Sequence, residues 1–201
     1  MKTVVVFLLM VVIVVTAGAE EFEWQGIQSL ACIGGEVPIV EDKLSFRSSV
    51  SYFWIPSDGT QLFFSYSGPK WTVKKWTKKD SFWLAPQVGV AGNWTEDGSD
   101  AILLSLWSGI SLFEGQVSLF VEEETYLNLG QKDYYAYYSL DYSPIGCINI
   151  GAHLQQVNKK VSFGPHIGIT RGSWHSELRY FAGFQEDNRG HTIRAVTGLS
   201  F

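Results

Sequence analysis

The chain has 201 residues and a formal net charge of −5, with 15% aromatic and only 17% charged residues. Soluble domains typically carry about 25% charge, so the balance is shifted toward apolar and aromatic surface without becoming a disordered composition. Basic residues gather only in the small pairs Lys74-Lys75 and Lys78-Lys79, which excludes nucleic acid as a partner class.

Lys2 precedes an apolar run from Val4 to Val15, and Ala17-Gly18-Ala19 follows before Glu20. That layout predicts a secretory leader over residues 1–19, cleaved after Ala19. The run falls short of the ~20 residues a helical membrane span needs, and no later stretch supplies one. If the mature chain resides in a membrane, strands must hold it there. Residues 20–42 form an N-terminal segment that is periplasmic, a plug or a first strand, and Phe22 to Ile33 would fit a short amphipathic helix. Cys32 and Cys147 could pair in an oxidising compartment, although one pair is no scaffold. Asn93-Trp94-Thr95 fits the N-glycosylation pattern, which matters only in a eukaryotic secretory pathway.

From residue 43 to 201 the chain alternates period-2 segments with turn signals, the pattern of an all-β barrel domain. Lys43–Trp54 and Thr60–Ser67 read as a hairpin around Pro56-Ser57-Asp58-Gly59, and Trp71–Trp76 as a further short strand. Segment 81–94 sets Phe82, Leu84, Val88 and Val90 against Gln87, Gly89 and Ala91; segment 101–110 sets Ile102, Leu104 and Leu106 against Ser105 and Gly109. Val117, Leu119 and Val121 oppose Ser118 and Glu122. Tyr134, Ala136, Tyr138 and Leu140 oppose Tyr135, Tyr137, Ser139 and Asp141. Ile148, Ile150 and Leu154 then face away from Asn149, Gly151 and His153, and Val161, Phe163, Ile167 and Ile169 away from Ser162, Gly164 and His166. Trp174, Leu178 and Tyr180 oppose His175, Glu177 and Arg179, and the final segment sets Ile193, Ala195, Leu199 and Phe201 against Arg194, Gly198 and Ser200.

These last eight segments have about the 9–11 residues of a membrane-crossing strand, longer than the ~5–6 usual in soluble sheets. One face is apolar, and the other carries Gly, Ser, His, Glu and Arg. A membrane barrel requires that arrangement, with lipid outside and a polar interior, and closure satisfies the backbone where water is absent. The expected fold is a closed, antiparallel, up-and-down transmembrane β-barrel of about ten strands, with eight and twelve as alternatives, because single-chain bacterial barrels have even counts. Trp94, Tyr126, Tyr134, Tyr142, Trp174 and Phe184 fall near strand ends, where an aromatic girdle would sit. The expectation requires Leu104, Ile150 and Ile167 to face outward; inward, they would mark a soluble barrel.

The predicted leader, the repeated amphipathic strands and a last segment with Ile193, Ala195, Leu199 and Phe201 in alternation resemble the small outer-membrane barrels of Gram-negative bacteria. The resemblance implies export to the outer membrane, outer-membrane lipid as surroundings, and handling by periplasmic chaperones and the barrel-assembly machinery, which reads that terminal strand. It identifies no subfamily, ligand or oligomeric state.

On the polar face, His175, Glu177 and Arg179 alternate along one strand, Arg194 follows on the next, and His153 and His166 face them from neighbouring strands. This lumen cluster is either a proton-transfer or ligand site or a packed polar core in which Glu177 and Glu122 neutralise arginines. A lipid-A hydrolase would use Ser, His and an acid. In His175-Ser176-Glu177, however, adjacent residues point to opposite faces, so the tripeptide is no local triad. The histidines lack a metal-ligand spacing, and no metal or other cofactor is expected. With ~10 strands, side chains fill the interior and leave no wide pore. The sequence therefore points to a non-enzymatic barrel, structural or serving as a narrow conduit or small-ligand site. A membrane lipid-A hydrolase and a soluble lipocalin-like secreted barrel are the alternatives.

Overall fold

The computed structural model describes residues 23–93, 101–128, 131–183 and 190–201. The predicted leader 1–19, Trp94, Phe184 and the turn at Glu96 to Ser99 lie outside these residues. The chain forms β1 (Glu23–Val40), β2 (Leu44–Ile55), β3 (Thr60–Lys75), β4 (Ser81–Asn93), β5 (Ala101–Leu112) and β6 (Val117–Asn128). It continues through β7 (Gln131–Ile145), β8 (Ile148–Val157), β9 (Lys160–Arg171), β10 (Trp174–Gly183) and β11 (Gly190–Ser200). Each strand pairs with its sequence neighbour, and β1 pairs with β11 to close a barrel.

The barrel has eleven strands, not ten. The even-count assumption fails because closure is not wholly antiparallel: with an odd number of alternating strands, first and last run the same way, and β1 lies parallel to β11 from Glu23↔Gly190 to Gly34↔Ser200. Trp71–Trp76 is not a separate strand, since β3 runs on to Lys75. The additional strand is β1, within the segment 20–42, so the described residues of Phe22–Ile33 are extended and not helical. The barrel therefore begins ahead of residue 43. Beyond its last rung, Phe201 donates its amide to the Gly34 carbonyl (3.0 Å) and accepts from Glu36 N (2.9 Å). Glu23 and Phe201 lie at opposite rims.

Tight turns carry the second rim, where β1 ends. Phe113, Glu114 and Gly115 all have positive φ in the β5–β6 turn, a conformation costly without a fixed partner. That partner is Asp80, whose carboxylate accepts from Gly115 N at 3.0 Å and so ties the β3–β4 connection to the turn.

The apolar face points outward. Val88, Leu104, Ile167 and Leu178 are about half exposed around the middle of the wall, and Ile150 shares their face. Phe46, Trp54, Trp71 and Trp174 are exposed nearer the strand ends. Ile193, Ala195, Leu199 and Phe201 lie on the same outer face, with Phe201 the most exposed at 72%. Tyr126 departs from the expected girdle: it turns into the lumen and donates to Glu124 (2.8 Å). Cys32 and Cys147 do not pair. Cys32 lines the lumen beside Ser51, whereas Cys147 is exposed in the β7–β8 turn, and three strands separate β1 from β8 around the wall.

Cysteines at Ala31 and Thr197, register partners on the outer face across the seam, test the closure. In a Cys32→Ser/Cys147→Ser background, Ala31→Cys with Thr197→Cys should cross-link on mild oxidation. Ala31→Cys with Val196→Cys, one residue out of register, should not. Absence of the first cross-link would contradict parallel closure.

Candidate functional site

Register aligns the inward residues of six strands into one row. Gln28 of β1 pairs with Arg194, Arg194 with Arg179, Arg179 with His166, His166 with Gly151, and Gly151 with Asp141. Inward side chains thus meet across strands although they are far apart in sequence. Gly151 is necessary to the row: a Cβ there would collide with the His166 ring that lies over it. That free space lets His166 Nε2 reach Asp141 Oδ1 at 2.7 Å.

His166 Nδ1 lies 3.3 Å from His153 Nδ1 and 3.8 Å from Glu177 Oε1. Glu177 accepts from Arg179 Nε at 2.6 Å, and the Arg179 guanidinium stacks over Tyr137 at 4.7 Å. His153 is stacked near Tyr137 and His166 and packs on Phe181, 4.3 Å between centroids. Asp141 also accepts from Ser139 Oγ at 3.0 Å. Arg194 has different partners. It donates to Gln28 and Gln155 side-chain oxygens at 2.8–3.0 Å and lies over the rings of Phe53 and Phe181. Delocalised guanidinium charge tolerates such stacking better than an ammonium would.

The structure thus brings His153, His166, Glu177 and Arg179 together, with Arg194 alongside. His175 stands apart, nearer the second rim, its ring covering Gly198. Sequence reasoning missed Asp141 as a member, although its place on the polar face of residues 133–142 was available. Gln28 could not be placed without recognising β1.

A second buried carboxyl lies across the lumen. Glu124, only 2% exposed, accepts from Tyr66 (3.1 Å), Tyr126 (2.8 Å) and Ser105 (3.3 Å). Arg47 lies 4.8 Å over the Trp107 ring beside it. Between the two groups is a cavity of about 1050 Å³ whose lining extends from Asp133 and Asn158 at one rim to Glu36 and Ser200 at the other. Arg47, Arg179 and Arg194 line it together with Glu122, Glu124 and Glu177.

This lining can bind a small polar or zwitterionic molecule through charge-assisted hydrogen bonds and aromatic faces. Ser139 donates to Asp141 and Ser176 lies on the outward alternation of β10, so neither heads a Ser-His-acid triad. Among the described residues no group of three or more His, Cys, Asp or Glu converges as a metal site. The chain matches no family model, no curated protein and no solved structure.

Glu177 shields Arg179 from being an unpaired buried charge. Glu177→Ala should lower unfolding stability by about 3 kcal/mol, read by urea titration. Adding Arg179→Ala should recover part of that loss, because the orphaned charge is then gone. A double variant as unstable as the sum of the two single variants would show that the pair acts independently.

Proposed function

We propose that the protein is a membrane-spanning β-barrel of the bacterial outer membrane, non-enzymatic, whose lumen acts as a narrow conduit or binding site for a small polar ligand. The observation that carries this reading is the inverted distribution of side chains. Arg179, Arg194, Glu124 and Glu177 lie inside, while Val88, Leu104, Ile167 and Leu178 face out. A soluble barrel buries its apolar face; this one would expose it to water all round, a far larger area than a soluble monomer tolerates. Lipid removes that cost, and aliphatic residues at mid-wall with Trp and Phe nearer the ends suit a bilayer and its interfaces.

A conduit of this kind is narrow. Eleven strands enclose far less than the sixteen or more of a porin, and the arginine–histidine row on one wall faces Glu124 and its tyrosines on the other. The terminal alternation through Phe201, on the outer face, supports insertion by the barrel-assembly machinery, and the N-terminal pattern supports export by a cleaved leader.

Detergent-extracted protein should migrate differently on gels before and after boiling, and should float with phosphatidylcholine vesicles. A chain fully soluble without detergent would overturn the membrane reading. In planar bilayers, Arg194→Ala should pass more current than wild type. Equal current would argue that the row does not limit the lumen.

A further inference from the structure

Two ladders of the wall are interrupted at prolines: β9–β10 skips two rungs beside Pro165, and β3–β4 has the longer gap. The β3–β4 ladder runs to Ser67↔Val88 and resumes at Trp71↔Leu84, leaving residues 68–70 and 85–87 without rungs. Continuing the register across the gap sets Pro69 opposite Pro86. Facing residues of a hydrogen-bonded antiparallel pair exchange two N–H···O bonds, and proline has no N–H, so a Pro–Pro pair loses both. The interruption stays local, because β2–β3 continues through Phe46↔Pro69 and β4–β5 through Pro86↔Leu106.

A groove of about 510 Å³ lies at this seam, lined by the outward Val88, Leu104 and Leu106 and by the inward Gln87 and Ser105. Gln87 is 3% exposed, and neither its Nε2 nor its Oε1 has a partner. The contrast with Glu124, which accepts three hydroxyl hydrogen bonds close by, is informative. A buried amide with an unfilled donor and an unfilled acceptor is costly unless something occupies it. On the outer side, Glu123 is an exposed carboxylate at mid-strand that accepts from Tyr138 at 3.0 Å and also lines the groove.

Taking the protein as the membrane barrel proposed above, the geometry points to a lateral binding site for a single-chain amphiphile taken from the bilayer. The acyl chain lies against Val88, Leu104 and Leu106, and an uncharged, hydroxyl-bearing head enters the proline seam to donate to and accept from the Gln87 amide. Glu123 sets the head chemistry: it accepts from a hydroxyl and repels a carboxylate or phosphate. Monoacylglycerols fit this description, and fatty acids of the same length do not.

The test uses the full chain in phosphatidylcholine vesicles with 1-monolauroylglycerol carrying a diazirine in its chain. Photolysis should place adducts on β4 and β5 in preference to the rest of the outer band. Gln87→Leu should reduce them about tenfold, the effect of losing one good hydrogen-bonding partner, while leaving stability equal or higher because its amide has no partner in the protein. Pro69→Ala with Pro86→Ala restores both donors and should also reduce the adducts. A diazirine fatty acid of equal length should label the seam weakly. Adducts spread evenly around a barrel that floats with the vesicles, or adducts insensitive to both variants, would overturn the lateral site alone. A chain that does not float overturns the membrane reading and this site with it.

Discussion

The parallel pairing of β1 with β11 is the constraint on which the rest of the structure depends. Eleven alternating strands leave one edge strand at each end, both pointing the same way, and an unpaired edge leaves a row of backbone N–H and C=O groups without partners. Parallel pairing closes the sheet, carries the two described ends to opposite rims, and fixes the register of β1 against β11. That register places Gln28 beside Arg194. A slip of one residue would turn Gln28 and Cys32 outward and bring Ile27 and Ile33 into the lumen. The arginine row would then lose its uncharged partner on the β1 side.

Inside the barrel, Arg47, Arg179 and Arg194 share the lumen with several carboxyls but do not all pair with them directly. Arg179 has Glu177 as a direct counterion. Arg194, its register partner, has two glutamine oxygens, Tyr135 and two aromatic rings, and Arg47 lies over Trp107 with the Glu36 and Glu122 carboxylates nearby. Two guanidinium groups directly opposite on adjacent strands would repel; using an acid for one and amide and ring acceptors for the other disperses that charge. On the opposite wall the problem is reversed. Glu124 is buried with three hydroxyl donors and no ion pair in direct contact, and the Glu122 carboxyl lies within hydrogen-bonding reach of it.

Much of this was legible in the sequence from β2 onward because period-2 alternation assigns a face to every residue. His153, His166, Glu177, Arg179 and Arg194 point into the lumen as the pattern requires. Alternation says nothing of height along the barrel, which depends on strand tilt and stagger, and for that reason His175 proved to lie outside the cluster. The same alternation sets Tyr126 on the inward face with Glu122 and Glu124, against its place in a girdle. β1 was harder to read. Gly26, Gly34, Gly35 and Pro38 dilute its pattern, Leu30 faces inward and Ser29 outward, and only pairing on both sides makes it a strand. Expecting an even count then assigned ten strands, since that rule presumes the antiparallel closure that β1 does not make.

The two sides of the barrel consequently differ in mechanical character. From β7 through β11 to β1, side-chain hydrogen bonds link neighbouring strands at nearly every step, so that wall is braced from within even where the β9–β10 ladder skips Gly164 and Pro165. Between β3 and β4 the bracing is absent where it would matter most: Gly68 and Gln87 face inward without contributing a polar partner, and the opposed prolines remove the backbone bonds beneath them. A closed sheet opens most readily where it has fewest bonds to break. Its braced wall holds the charged row in place, and its longest ladder gap adjoins Gln87, whose buried amide is unfilled on both atoms.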